Sequence, residues 1–248
     1  MAPRPDNLWP WPSDRWSYIL LAHMNPKQRA AEAALPFVRS GMVVGLGTGS
    51  TADFFHLALA AALRAGTVRD LVCIATSRNS EQRAQELGIP LTTLAKSPVI
   101  DLTVDGADEI TPALDLIKGL GGALVREKIV AQASKQLVIV ADASKSVTTL
   151  GIKGPLPVEV LPFAHEAQER YFRSLGAEPT LRRVGGVVFN TDNGNVIYDC
   201  KFKSIDNPKE IERRMRERAG IVGTGLFLGL ATSVLIADDH DVVRRDRA

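Results

Sequence analysis

MVVGLGTGSTADFFHLALAAAL, Met42 to Leu63, decides the fold. Met42 to Leu46 is a short apolar run that predicts a strand. The glycine-rich turn after it leads into Thr51, where apolar residues at helical spacing predict a helix through Leu63. The pattern repeats downstream as strand Leu71 to Ala75, helix Asn79 to Leu87, strand Val99 to Val104, helix Gly122 to Ser134 and strand Leu137 to Ala141. Such alternation predicts an α/β chain with a mostly parallel sheet covered by helices. Upstream, Asn25-Pro-Lys-Gln28 supplies an N-cap, a proline at the first helical position and a glutamine placed to bond back, so a helix is expected from about Pro26 to Arg39.

The rhythm changes after Lys153-Gly-Pro-Leu-Pro157. A proline-bracketed strand, Val158 to Leu161, leads into helical His165 to Leu175. Strands near Pro179 to Arg183 and Val187 to Asn190 then precede Thr191-Asp-Asn-Gly-Asn195, a hairpin turn with the Asn-Gly signal, and strand Val196 to Cys200. A helix from Pro208 to Arg218 sets Glu210 against Arg214 and Glu212 against Arg216 at the favourable spacing, so its arginine run reads as a solvated face rather than a nucleic-acid patch. Gly225 to Ala237 reads as a turn leading to a buried strand that rejoins the first sheet. The expected organisation is an extension over 1–24, a Rossmann-like domain over 25–155, a small α+β domain over 156–226, and a return to the first domain with a tail over 227–248.

Bulk properties exclude several classes. The 248 residues are 45% hydrophobic and 23% charged, and 30 basic against 28 acidic residues leave a net charge of +2, so no broad field exists for nucleic acid or a membrane surface. Cys73 and Cys200 match neither a metal spacing nor a redox pair, which fits buried reduced thiols in a cytoplasmic protein. The first sixteen residues hold all three tryptophans, Trp9, Trp11 and Trp16, and four of the fourteen prolines, without the make-up of a signal peptide. His23, His56, His165 and His240 fall in no triad or metal spacing.

Three constellations carry chemistry. Gly45-Leu-Gly-Thr-Gly-Ser-Thr51 ends a strand and opens a helix, where backbone amides and hydroxyls meet an anion at the positive end of the helix dipole; a structural turn with Ser50 and Thr51 as caps is the alternative. The lysine of a nucleoside-triphosphate loop is missing, and Thr76 and Ser77 stand where a dinucleotide site would place an acid. Asp105 and Asp108 end the strand at Val104, in the region where open α/β sheets hold their ligands. They could instead cap the next helix, or bind magnesium with Glu109. Glu127 has Ala123, Leu124, Val130 and Ala131 as its helical neighbours and no basic partner on its own face, so a partly desolvated general base is one reading and an exposed glutamate the other. Lys118, before Gly119-Leu-Gly-Gly122, could face a developing oxyanion or stay solvated.

GLGTGSTA, TVDGADEI, IKGLGGALVREKIVA, DASK and PLPVEVLPFA occur in one order at one spacing, and from roughly Asn25 to Asp238 the chain resembles ribose-5-phosphate isomerase of the A type. The resemblance implies a Rossmann-like three-layer domain with a small ferredoxin-like α+β lid domain. It also implies a homodimer or homotetramer, and interconversion of ribose 5-phosphate and ribulose 5-phosphate with no cofactor and no metal. On matching positions Glu127 would be the proton acceptor, assisted by Asp105, Asp108 and Lys118. Lys27, Thr48, Gly49, Ser50, Thr51, Gly106, Ala107, Gly119, Leu120, Gly121 and Lys145 would bind the sugar phosphate. Two residues depart from the pattern: Leu120 stands where the family loop usually has glycine, and Val125 where threonine is common. Two rival readings follow from the same residues, an isomerase of another sugar phosphate and a non-catalytic sugar-phosphate sensor.

Overall fold

The computed structural model describes residues 25–247, so the tryptophan-rich stretch, His23 and the expected extension over 1–24 lie outside the described residues. In chain order the elements are α1 (Pro26–Glu32), β1 (Val43–Leu46), α2 (Ser50–Arg64), β2 (Val72–Ala75), α3 (Arg78–Glu86), β3 (Leu102–Asp105), β4 (Glu109–Ile110), β5 (Leu116–Ile117), α4 (Leu124–Gln132), β6 (Leu137–Asp142), β7 (Leu156–Val160), α5 (Ala167–Ser174), β8 (Glu178–Leu181), β9 (Arg183–Val184), β10 (Val187–Val188), β11 (Val196–Lys201), α6 (Pro208–Arg216), β12 (Ile221–Thr224), β13 (Leu226–Phe227), β14 (Ser233–Ala237) and β15 (Val242–Asp246). Two compact units result. The first takes the chain up to Gly106, Val130–Lys145 and the chain from Ala231 on; the second takes Ala107–Ile129 and Ser146–Leu230. Residues 107–129 thus group with the second unit, unlike the boundary expected from sequence, because β4 and β5 form a hairpin that pairs with β13 rather than extending the parallel sheet.

The first unit is a six-stranded sheet in the order β15-β14-β6-β3-β1-β2. All neighbours are parallel except β15, which runs antiparallel along the edge beside β14. The chain leaves β1 on one side to make β2 and continues on the other side with β3, so the strand order reverses between β1 and β3, the place where such sheets receive ligands. Alternate residues serve opposite faces: Val44, Leu46 and Cys73 join a core with Ala30, Phe55, Leu59 and Ala84 of α1, α2 and α3, while Ile74 and Ile100 meet Val130 of α4. Cys73 is buried and its thiol is pushed up to about 12 by that burial, as an inert core residue.

Three local expectations change here. The first helix stops at Glu32, and only a short 3-10 turn, Leu35–Phe37, follows. Pro36 is the cause, since its ring crowds the carbonyl four residues back, that of Glu32, and it has no N–H to continue the ladder. Asn25 does cap this helix, accepting from the Gln28 amide at 2.9 Å, but the Gln28 side chain bonds forward to Glu32 at 2.9 Å instead of back to the cap. At the other end of the chain, residues read as a tail supply β15.

His56, on α2, is buried, and burial lowers its pKa from 6.5 to about 4, outweighing Asp53 and the Gly47 backbone, which favour the cation. The unfolded chain therefore binds a proton that the fold refuses between about pH 6.5 and 4, and stability falls as pH drops through that window. The loss is about 2–3 kcal/mol at pH 4.5 relative to pH 7 or above. Urea unfolding of wild type and His56→Leu at pH 7.5 and 4.5 should show this difference in the wild type's pH dependence; equal slopes for both proteins would refute it.

The second unit is built around an antiparallel sheet in the order β12-β7-β11-β8. With α5 after β7 and α6 after β11, the path is strand, helix, two strands, helix, strand, the ferredoxin-like arrangement. Val158, Val160, Tyr198 and Cys200 pack with Phe172 of α5 and Met215 of α6. Cys200 is buried and its thiol is likewise pushed up by burial. The Asn-Gly hairpin forms as read, with the Thr191 amide donating to the Asn195 carbonyl at 2.8 Å. The charge pairing on α6 differs from its spacing: Arg213 bridges Glu210 at 2.7 Å and Glu217 at 2.8 Å, while Glu212 turns to Lys128 at 3.2 Å. The reason is burial, because Glu212 and Lys128 are mostly enclosed and a buried charge needs a partner more than an exposed one does.

Candidate active site

In the first unit the turn after β1 is fitted to the end of β3. The Gly47 amide donates to the Val104 carbonyl at 3.0 Å, and Asp105 Oδ1 accepts from the amides of Thr48 at 3.1 Å and Gly106 at 2.7 Å. A Cβ on Gly47 would lie 2.2 Å from that same oxygen and 2.6 Å from the Asp105 Cα, so no side chain fits there. Asp105 is 1% exposed. The Thr48 and Gly106 amides that it accepts from both lie in turns outside any helix.

Thr48 Oγ1 sits 2.8 Å from both Thr76 Oγ1 and Ser77 Oγ and 3.1 Å from Ser80 Oγ, so the residues after β2 that lack a dinucleotide site's acid form a hydroxyl cluster. Helix α2 begins on Gly49, whose φ of +112° suits glycine, and no side chain caps it. Helices α1, α3 and α6 are capped by Asn25, Ser77 and Asn207. The uncapped first turn of α2, with Ser50 and Thr51 as its first residues, thus keeps amide donors for an anion. Lys27 Nζ donates to Ser50 Oγ at 3.1 Å, bringing a cation to the same turn. Lys145 follows β6 in the 3-10 turn Ala143–Lys145 and is half-buried.

In the second unit, β5 delivers Lys118, whose amide donates to the Gly225 carbonyl at 2.9 Å. Lys118 is 2% exposed and Glu127, in the first turn of α4, is 4% exposed. Their charged ends are 3.4 Å apart. Glu127 thus has a basic partner after all, contributed by another element rather than by its own helix face, and neither the exposed glutamate nor the solvated lysine is realised. The four apolar helical neighbours are buried as expected. Desolvation by those neighbours and attraction to the ammonium act in opposite senses on the proton affinity of Glu127.

The Phe227 ring lies under two ammonium groups, Lys118 at 5.4 Å and Lys128 at 5.1 Å. Burial lowers the pKa of Lys128. Asp108 Oδ2 accepts from the Leu120 amide at 3.0 Å, tying the loop after Lys118. This is a buried acid beside a buried cation next to a loop of glycines, a set able to move a proton and to face the negative charge that results.

The family model for ribose 5-phosphate isomerase A (phosphoriboisomerase A) matches residues 72–241. The chain is 49% identical to ribose-5-phosphate isomerase A of Roseiflexus castenholzii, covering 88% of this chain and 93% of the relative, and 50% identical to that of Gloeobacter violaceus, covering 87% and 94%. Among solved structures, ribose 5-phosphate isomerase from Plasmodium falciparum superposes with a TM-score of 0.86 at 40% identity, over 89% of this chain and 97% of that one. The chain belongs to the ribose-5-phosphate isomerase A family. A D-ribose-5-phosphate isomerase in complex with phospho-erythronic acid gives a TM-score of 0.87 at 37% identity, over 90% of this chain and 100% of that one.

Against the ribose-5-phosphate isomerase A pattern, the two departures occupy different surroundings. Leu120 is exposed, with its backbone held at both ends by Asp108 and Arg182. Val125 is half-buried, and a Cβ on Gly223 would lie 3.0 Å from its Cγ2. Glu109 is structural: its carboxylate accepts from the amides of Gly151, Lys153 and Gly154 at 2.6 to 2.8 Å. Among the described residues no group of three or more His, Cys, Asp or Glu is placed to hold a metal ion, and Glu109, the third acid of the magnesium alternative, engages its carboxylate with backbone amides. Among the described residues no helix is long and apolar enough to cross a membrane. Sequence reading missed the hydroxyls of Thr76, Ser77 and Ser80, whose only signal was a polar run after a strand, and it missed Arg182.

Proposed function

We propose that this protein interconverts D-ribose 5-phosphate and D-ribulose 5-phosphate by proton transfer through an enediolate. The observation that carries the reading is the buried Lys118–Glu127 pair, 3.4 Å apart, on the two positions where the family pattern places the cation and the base. Glu127 removes the proton from carbon 2 of the open-chain aldose and returns it to carbon 1. Lys118 faces the enediolate oxygen. Asp105 and Asp108 hold the sugar hydroxyls and relay the hydroxyl proton, with Gly106, Ala107, Gly119, Leu120 and Gly121 lining the sugar. The phosphate rests on the amides and hydroxyls of Thr48, Gly49, Ser50 and Thr51, helped by the charges of Lys27 and Lys145. Phospho-erythronic acid, bound by the relative, has a planar carboxylate like an enediolate and a phosphate at the far end, which supports the same substrate class here.

The protein acts in the cytoplasm as a homodimer or homotetramer. Two buried free thiols support a reducing compartment. Exposed Phe163, Val184 and Val187 support self-association.

Incubation with ribose 5-phosphate, arabinose 5-phosphate and allose 6-phosphate in heavy water tests the activity. Ribulose 5-phosphate should form from the first at the highest kcat/KM, with deuterium entering the carbon-bound positions that exchange. Preference for either other sugar would favour an isomerase of another sugar phosphate. Binding without any exchange would mean a sensor.

A further inference from the structure

Arg182 lies outside every stretch that marks the family, yet its side chain is committed to the loop after Lys118. One terminal nitrogen, Nη1, donates to the carbonyls of Gly119 at 3.0 Å and Leu120 at 3.1 Å. The other edge of the guanidinium meets Asp199 in a two-pronged pair, Nε to Oδ2 at 2.9 Å and Nη2 to Oδ1 at 2.5 Å. Its side chain is only 11% exposed and stacks 5.9 Å from the Phe189 ring, which occupies the space a side chain on Gly122 would need. From the other side, Asp108 takes the Leu120 amide, and the Gly122 amide closes back on the Gly119 carbonyl. Among the described residues the amides of Gly119 and Gly121 are then left without a protein acceptor. A loop with glycine at 119, 121 and 122 has many conformations to lose on ordering a ligand. The planar fork of an arginine, fixed by a carboxylate behind it, selects one of them beforehand.

We infer that Arg182, oriented by Asp199, is a positioning residue that presets the Gly119–Gly121 loop so that its two remaining amides receive the oxygens at the reacting end of the sugar. This rests on the isomerase reading above. Lysine cannot replace it, because a single ammonium cannot hold two carbonyls and a carboxylate in one plane.

The test compares wild type, Arg182→Gln, Arg182→Lys and Asp199→Asn for kcat and KM on ribose 5-phosphate, for the dissociation constant of 4-phospho-erythronic acid, and for inhibition by inorganic phosphate. Arg182→Gln should weaken the sugar acid about tenfold or more and lower kcat by about tenfold. Phosphate inhibition should stay within about twofold of wild type. Arg182→Lys should not restore the loss, and Asp199→Asn should show a smaller loss in the same direction. Unchanged binding of the sugar acid by Arg182→Gln overturns the inference, and so does a loss of phosphate affinity in equal proportion, which would mean general damage to the fold. Should Arg182→Gln not fold, Asp199→Asn decides the matter in the same assays. Wild type that neither isomerises the sugar nor binds the acid would instead sink the isomerase reading.

Discussion

Glu127→Gln should turn ribose 5-phosphate over about a thousandfold more slowly than wild type, with KM changed by no more than a few-fold. A positioned general base is worth roughly two to four orders of magnitude, and an amide cannot take the proton. Glutamine is the informative replacement because it keeps the shape of the side chain and an oxygen that can still accept from Lys118, 3.4 Å away in the wild type. Alanine would instead remove the carboxylate that faces the buried Lys118 ammonium. Losing one partner of a buried pair costs about 3–5 kcal/mol, which would confuse inactivity with unfolding. The measurement is steady-state turnover on protein whose thermal melt matches wild type. Turnover within about tenfold of normal would mean that another group abstracts the proton.

The frame of this site was readable from sequence where one residue pattern admits one local structure. Strand β1, its glycine turn and α2 are such a case: apolar run, glycines, then helical spacing. Asp105 was readable for the same reason, since a strand followed by Asp-Gly must end near it. The end of the first helix was written in the chain at Pro36, but the helical spacing of Ala30, Ala31, Ala34, Leu35 and Val38 outweighed it. Other features had no local signature. Glu127 finds its cation across a turn rather than three or four residues away on its helix, so inspecting that helix face missed Lys118. Arg213 pairs with Glu210 and with Glu217 at the end of α6, while Glu212 is drawn to a buried lysine in another element. Arg182 acts on backbone carbonyls, which every residue has, and nothing in the sequence of its targets marks them. β15 is an edge strand whose exposure rises from buried Val242 to exposed Asp246, and its charged residues read equally well as a tail.

Lys118→Met should lower kcat by roughly two orders of magnitude, because loss of one well-placed donor at a developing oxyanion costs about 3 kcal/mol. Methionine has nearly the length of lysine and can occupy the 2%-exposed space against Phe227 without a charge. The same substitution removes the ammonium beside Glu127, leaving a carboxylate among Ala123, Leu124, Val130 and Ala131 with less to stabilise its charged form. Protonation of Glu127 then becomes easier, and the acidic limb of the kcat/KM profile should move to higher pH than in wild type. The two effects separate the roles of Lys118. If it only tunes the base, raising the pH should restore most of the lost rate. If it also faces the enediolate, the deficit persists on the plateau where Glu127 is fully ionised. A plateau deficit of about a hundredfold together with a shifted limb is the expected result. A plateau within about threefold of wild type would remove Lys118 from charge stabilisation, and an unmoved limb would mean that the buried pair does not govern the base.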